Sequence, residues 1–311
     1  MSKVSLALTA NRSREGITSL IIAVFFFSFQ DMIIKYLSSD YSILQLLFIR
    51  SSISLILLSS IAYKLFGYKV FISKQPRLVL VRSVLVVICI VPYYLAIPVL
   101  PLADIVGIVF CSPIIITLLS VLILKEKVKL SFWVAVIVGF IGVLIIANPT
   151  GHLSKAGVML AFGSAFAYAV MSIVTRQINL GDQPITIAIY SMAFYVFFSL
   201  ISLALITHNG VQAGVHPSLD FLVRDWIVPN QHEMVLLTFL GLVGTIGFYS
   251  LARAYMIAPA SHVAPFEYVY IIFVVVLSYI FFSEIPKTTT FLGVSILIIS
   301  GLYIWRHDKH R

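Results

Sequence analysis

The sequence predicts an all-α integral membrane protein, with ten transmembrane helices arranged as two inverted five-helix repeats. Three observations carry this. Hydrophobic residues make up 60% of the chain, charged residues 11%, and the mean hydropathy is +1.06. No water-soluble domain of this composition could avoid exposing large apolar patches. The apolar residues fall into ten runs of about 17 to 25, each long enough to cross a bilayer. Finally, the chain matches itself. A shift of 158 residues lays Pro259 to Glu284 without a gap on Pro101 to Glu126, and the register continues with Lys129 on Lys287 and Ile141 on Ile299. A second offset of 141 sets Gly16 on Gly157 and Lys35 on Arg176, so the chain reads as two related halves.

Residues 1–15 are polar, with Lys3, Arg12 and Arg14, and precede a first span at 16–37. That run is too long for a signal-peptide core and no small-x-small cleavage site follows it, which makes it a retained helix. Spans at 43–66, 78–97, 101–124 and 131–147 complete a first repeat, residues 16–147. Spans at 156–177, 184–206, 234–256, 260–283 and 288–305 form a second, residues 156–305, with a polar loop at 207–233 and a short tail at 306–311. The connections from Ile97 to Pro101 and from Ile257 to Ala260 are short enough to require antiparallel hairpins.

With the N-terminus inside, the inner face collects sixteen Lys and Arg; the outer face has Lys35, Lys155, Arg224 and Lys287, and Arg50 is left within a span. This asymmetry places both termini in the cytoplasm and the chain as a multi-pass protein in the inner (plasma) membrane. Five crossings is an odd number, so the second half enters from the opposite side to the first. Inverted repeats of this kind are typical of secondary transporters, with the site near the midplane between the halves.

The net charge of +9 does not point to nucleic acid, because the basic residues lie between apolar runs and set orientation. Cys89 and Cys111 both fall inside apolar runs and read as free thiols; no spacing implies a metal site, and no cofactor is expected. Trp226 in the outer loop and Trp305 at the end of span ten read as interfacial anchors in contact with membrane lipid. A multispan enzyme acting on lipid would ask for clustered His and Asp at one membrane face, which the chain lacks. A purely structural scaffold would not carry ionisable groups inside its spans, where each costs roughly 2.5 to 3.5 kcal/mol.

The Pro-led fourth span with its internal Ser112-Pro113 and terminal Leu-Lys-Glu126, and the ninth span ending in Ser-Glu284, resemble the drug/metabolite transporter superfamily, and within it the EamA family. The resemblance covers nearly the whole chain. Gln30-Asp31 to Lys35, Phe48-Ile49-Arg50 and Ala264-Pro265-Phe266-Glu267-Tyr268 resemble bacterial members that include S-adenosylmethionine uptake proteins. The resemblance implies a carrier of small metabolites driven by exchange or an ion gradient, without an ATP-binding part; no Walker sequence is present.

Glu267 is the leading site candidate, a carboxylate about two turns inside the ninth span. It is placed to load and release a proton or to receive a cationic part of a substrate, or else to pair with Arg253 or Arg82. Asp31 and Arg50 lie about six and seven residues from the outer ends of spans one and two, the same depth at 1.5 Å per residue, and are expected to pair. Tyr94, Tyr249 and Tyr268 are the tyrosines expected to line the cavity, since an interior tyrosine needs a partner for its hydroxyl. Pro92, Pro113 and Pro265 mark expected kinks. Gly139, Gly142, Gly241, Gly244, Gly247 and Gly293 mark close helix contacts.

Overall fold

The computed structural model describes residues 3–100, 102–147, 154–178, 181–209, 217–283, 285 and 288–308. Among them are thirteen α-helices and no strand. The first half holds α1 (Lys3–Leu37), α2 (Ile43–Phe66), α3 (Pro76–Ala96), α4 (Leu102–Val109), α5 (Ser112–Leu122) and α6 (Leu130–Ala147). The second holds α7 (Lys155–Gln177), α8 (Pro184–Asn209), α9 (Pro217–Val223), α10 (Gln231–Ile257), α11 (Ala260–Val263), α12 (Val269–Phe282) and α13 (Thr288–Asp308). Short 3₁₀ segments at Tyr68–Phe71 and Ala264–Tyr268 complete the described elements. Pro101, Glu284, Lys287 and the side chain of Trp305 lie outside the described residues.

Local chemistry sets the helix ends. Ser42 caps α2 by accepting from the Gln45 N–H at 3.2 Å, and Ser154 caps α7 by accepting from Gly157 at 3.4 Å. At α10, Asn230 and Glu233 form a reciprocal capping box. Gly67, with φ +69°, turns the chain out of α2 in a conformation only glycine adopts freely.

Among the described residues eight helices are long and apolar enough to cross a membrane, which makes this a multi-pass membrane protein. The sequence led us to expect ten of full length. The two other expected spans coincide with the interrupted pair α4–α5 and with the 21-residue α13. The fourth is interrupted after Val109, because the ring of Pro113 clashes with the carbonyl four residues back and removes an N–H donor. Span nine is also interrupted: Pro265 converts the chain from α11 to a 3₁₀ segment before α12 begins. Pro92, by contrast, is accommodated inside an unbroken α3.

The most extensive packings are α1 with α10, α3 with α7, α6 with α13 and α2 with α8. Backbones approach closely where the sequence placed glycine. A Cβ on Gly293 would stand 2.6 Å from the Gly142 carbonyl oxygen, so α6 and α13 can meet only at these two residues without side chains. The outward faces of the spans carry exposed Ile56, Leu65, Phe197 and Phe281, as a lipid-facing surface requires.

Candidate functional site

A cavity of about 190 Å³ lies between the helices, walled by α1, α3, the interrupted fourth span, α7, α8, α10 and the interrupted ninth span, which holds Glu267 and Tyr270. Its wall is rich in aromatic rings, including Phe27, Tyr93, Phe110, Tyr195 and Phe248, and into it face two carboxylates. Asp31, on α1, accepts hydrogen bonds from the Tyr94 hydroxyl at 3.3 Å and from the Tyr270 hydroxyl. Glu267 accepts from the Tyr168 hydroxyl at 2.8 Å and from the Tyr255 hydroxyl. Each acid therefore holds two phenolic donors, contributed by different helices.

These partners differ from the expected ones. Among the described residues neither carboxylate has a basic group at ion-pair distance. Arg253 does not face Glu267: its guanidinium, 40% exposed, meets Glu15 at 3.2 Å and the Ser19 hydroxyl at 3.3 Å. Arg82 is buried and donates to Thr175 Oγ1 at 2.8 Å and to the Ser191 hydroxyl. Arg50 does not pair with Asp31. It is fully buried, with its guanidinium 5.3 Å from the Tyr195 ring centre and 5.4 Å from that of Phe248. None of its three nitrogens has a hydrogen-bond partner.

Of the three expected tyrosines, Tyr94 lines the cavity and two do not. Tyr249 points outward, 36% exposed. Tyr268 packs its ring against Gly139 and donates to the Val136 carbonyl at 3.2 Å, so it joins span nine to α6. The residues that hold Glu267 are Tyr168 and Tyr255, neither of them among the three tyrosines expected to line the cavity. A signal for Tyr255 was present: steps of three and four from Gly244 through Phe248 and Leu251 arrive at it along one face of α10, and Tyr249 lies off that face.

Glu126, just past α5, bonds to the opposite half of the chain. It accepts from the backbone N–H groups of Ala260 and Ser261, both at 3.1 Å, and from the Ser261 hydroxyl at 2.6 Å. It therefore caps the first turn of α11 in the opposite half, with Arg176 at 3.7 Å. Among the described residues no group of three or more His, Cys, Asp or Glu side chains could hold a metal ion.

The model of the EamA-like transporter family matches residues 14–148 and 155–306. The chain belongs to that family. Within it, the chain is similar to the S-adenosylmethionine uptake transporter of Rickettsia prowazekii, 24% identical over 295 residues that cover 94% of this chain and 93% of that one. It is also similar to the riboflavin transporter of Vibrio cholerae, 27% identical over 170 residues, 54% of this chain but only about half, 51%, of the relative. A solved crystal structure shares the fold with a TM-score of 0.75, covering 95% of this chain and 98% of its own at 13% identity. EamA membership and relatives named as transporters agree with the run of apolar helices around a polar-floored cavity.

Proposed function

We propose that this EamA-family chain is a secondary carrier that moves a small polar metabolite, of the amino acid or S-adenosylmethionine kind, through the cavity by alternating access. The observation that carries this is the pair of carboxylates, Asp31 and Glu267, facing one aromatic cavity without a basic partner among the described residues. A group that costs this much inside a membrane and is not neutralised by its own protein is reserved for something that arrives. A cationic substrate group or a proton would fill that role. The tyrosine hydroxyls position the acids, and Tyr94 contributes to the wall.

Ten crossings in two inverted repeats, 16–147 and 156–305, remain our topology, with the interrupted fourth and the tenth segments counted as crossings. The packing supports it. Exchanging spans one to five with six to ten turns the α1–α10 contact into the α3–α7 contact and returns α2–α8 and α6–α13 to themselves. The two interruptions also coincide in the 158-residue register, where Val109 falls on Glu267 and Ser112 on Tyr270. A rocking motion of one repeat on the other would open the cavity to each side in turn. We place the chain in the inner membrane with both termini cytoplasmic, on the Lys and Arg asymmetry.

The test is substrate-driven current or pH change in proteoliposomes across a panel of amino acids, nucleosides, S-adenosylmethionine and flavins, comparing native protein with Glu267→Gln. A native signal lost in a variant that still binds supports proton coupling through Glu267. A signal unchanged in the variant removes Glu267 from the mechanism.

A further inference from the structure

The cavity region contains an uncompensated cation as well as uncompensated acids. Arg50 is 0% exposed, and its Nε and both Nη atoms lack any acceptor. Such a charge is costly to bury, and the faces of two rings and the Asp31 carboxylate within electrostatic reach offset that cost without giving its N–H groups an acceptor. Native proteins seldom leave a buried donor unmet unless an ion, a water or a ligand meets it. Asp31, the acid within electrostatic reach of Arg50, is already held by Tyr94 and Tyr270. The two rings beside the guanidinium, Tyr195 and Phe248, are themselves part of the cavity wall. Arg50 therefore stands directly behind that wall.

An orphaned acceptor stands in the wall itself. Gln30, beside Asp31 in the chain, lines the cavity and is 3% exposed, yet its Oε1 has no donor. One side of the cavity thus offers an unmet amide oxygen next to a carboxylate. Behind the Tyr195 and Phe248 rings of the same wall stands the Arg50 guanidinium, whose planar fork fits a carboxylate through two parallel N–H···O bonds once those rings give way.

We propose that this is a zwitterion site: Arg50 receives the carboxylate of an amino-acid head group, and Gln30 Oε1 with Asp31 receives its ammonium. The inference rests on the carrier reading above and narrows its substrate to molecules carrying both charges, with the remainder of the molecule against the aromatic wall. Loss of the carboxylate from such a ligand would leave the buried Arg50 N–H groups without an acceptor, so the site discriminates against the corresponding amine.

The experiment compares matched pairs, S-adenosylmethionine against its decarboxylated analogue and tryptophan against tryptamine, by binding and by counterflow in the reconstituted full chain. Native protein is expected to favour the amino-acid member of a bound pair by tenfold or more. Arg50→Gln is expected to collapse that ratio towards one, and Arg50→Lys to restore part of it. Thermal stabilisation of native protein by the amino acid and not by the amine gives the same answer without any variant. Equal affinity of native protein for both members, or a ratio unchanged in Arg50→Gln, overturns the zwitterion site and leaves the carrier reading standing. Absence of binding and counterflow with every solute of the wider panel overturns both.

Discussion

At the scale of single residues, the two acids differ from ordinary buried carboxylates in what holds them. Phenolic hydroxyls donate to each, fixing the oxygens in space without neutralising the charge. A hydrogen bond to a charged group contributes about 1.5–3 kcal/mol, so Tyr168→Phe or Tyr255→Phe is expected to weaken substrate binding or transport by roughly tenfold or more. Isothermal titration or initial uptake rates check this, and native behaviour in both variants would remove the tyrosines from the site. Arg253 has a different expectation. Its pair with Glu15 is largely solvent-exposed, and such pairs contribute about 0–1 kcal/mol. Arg253→Ala should therefore transport within about twofold of native, whereas a partner of Glu267 would not be dispensable. Asp31 and Glu267 were legible in the sequence because an acid inside an apolar run is conspicuous. Their partners were not, since adjacency in sequence is not adjacency on a helix. Tyr268 follows Glu267 by one residue and so faces α6, whereas Tyr270, three residues on, returns to the cavity side.

At the scale of elements, apolar run length predicted where helices lie but not where they break. The fourth run reads as 24 continuous residues, 101–124, although α4 stops at Val109 and α5 begins at Ser112. The proline that ends α4 was visible, and so was Pro92, which interrupts nothing, so a proline in an apolar run does not by itself say whether the helix breaks. The break matters because it brings backbone and Phe110 to the cavity wall. Pro113→Ala removes the ring clash and lets the helix run on. We expect transport to slow several-fold in that variant while its melting temperature in detergent holds or rises. A native rate with a continuous helix would show the break to be incidental. Glu126 makes the complementary case. Replacing it by Ala frees two N–H groups and a hydroxyl at the start of α11, which should cost about 1–3 kcal/mol and appear as a lower melting temperature.

At the scale of the whole molecule, composition indicated a multi-pass membrane protein, and the placement of basic residues supports our proposed orientation. Neither could place the cavity, because its position depends on which faces of seven wall-forming segments converge. The orientation is open to direct measurement. Val228, 94% exposed in the loop before α10, becomes a reporter when changed to Cys in a Cys89→Ser, Cys111→Ser background. Our topology requires that a membrane-impermeant maleimide label it from outside intact cells; labelling only after lysis would reverse the assignment.

The claim on which the rest depends is that solute passes through the cavity between Asp31 and Glu267. Cys89 lines that cavity, 3.9 Å from the Ser164 hydroxyl, and is a ready-made probe of it once Cys111 is replaced by Ser. The measurement is the rate at which a small thiol reagent modifies Cys89 in reconstituted protein, with and without a solute that the protein transports. The account predicts that the solute slows modification in proportion to its occupancy, and that Asp31→Asn abolishes this protection. Modification at the same rate with saturating solute would place the path elsewhere and contradict it.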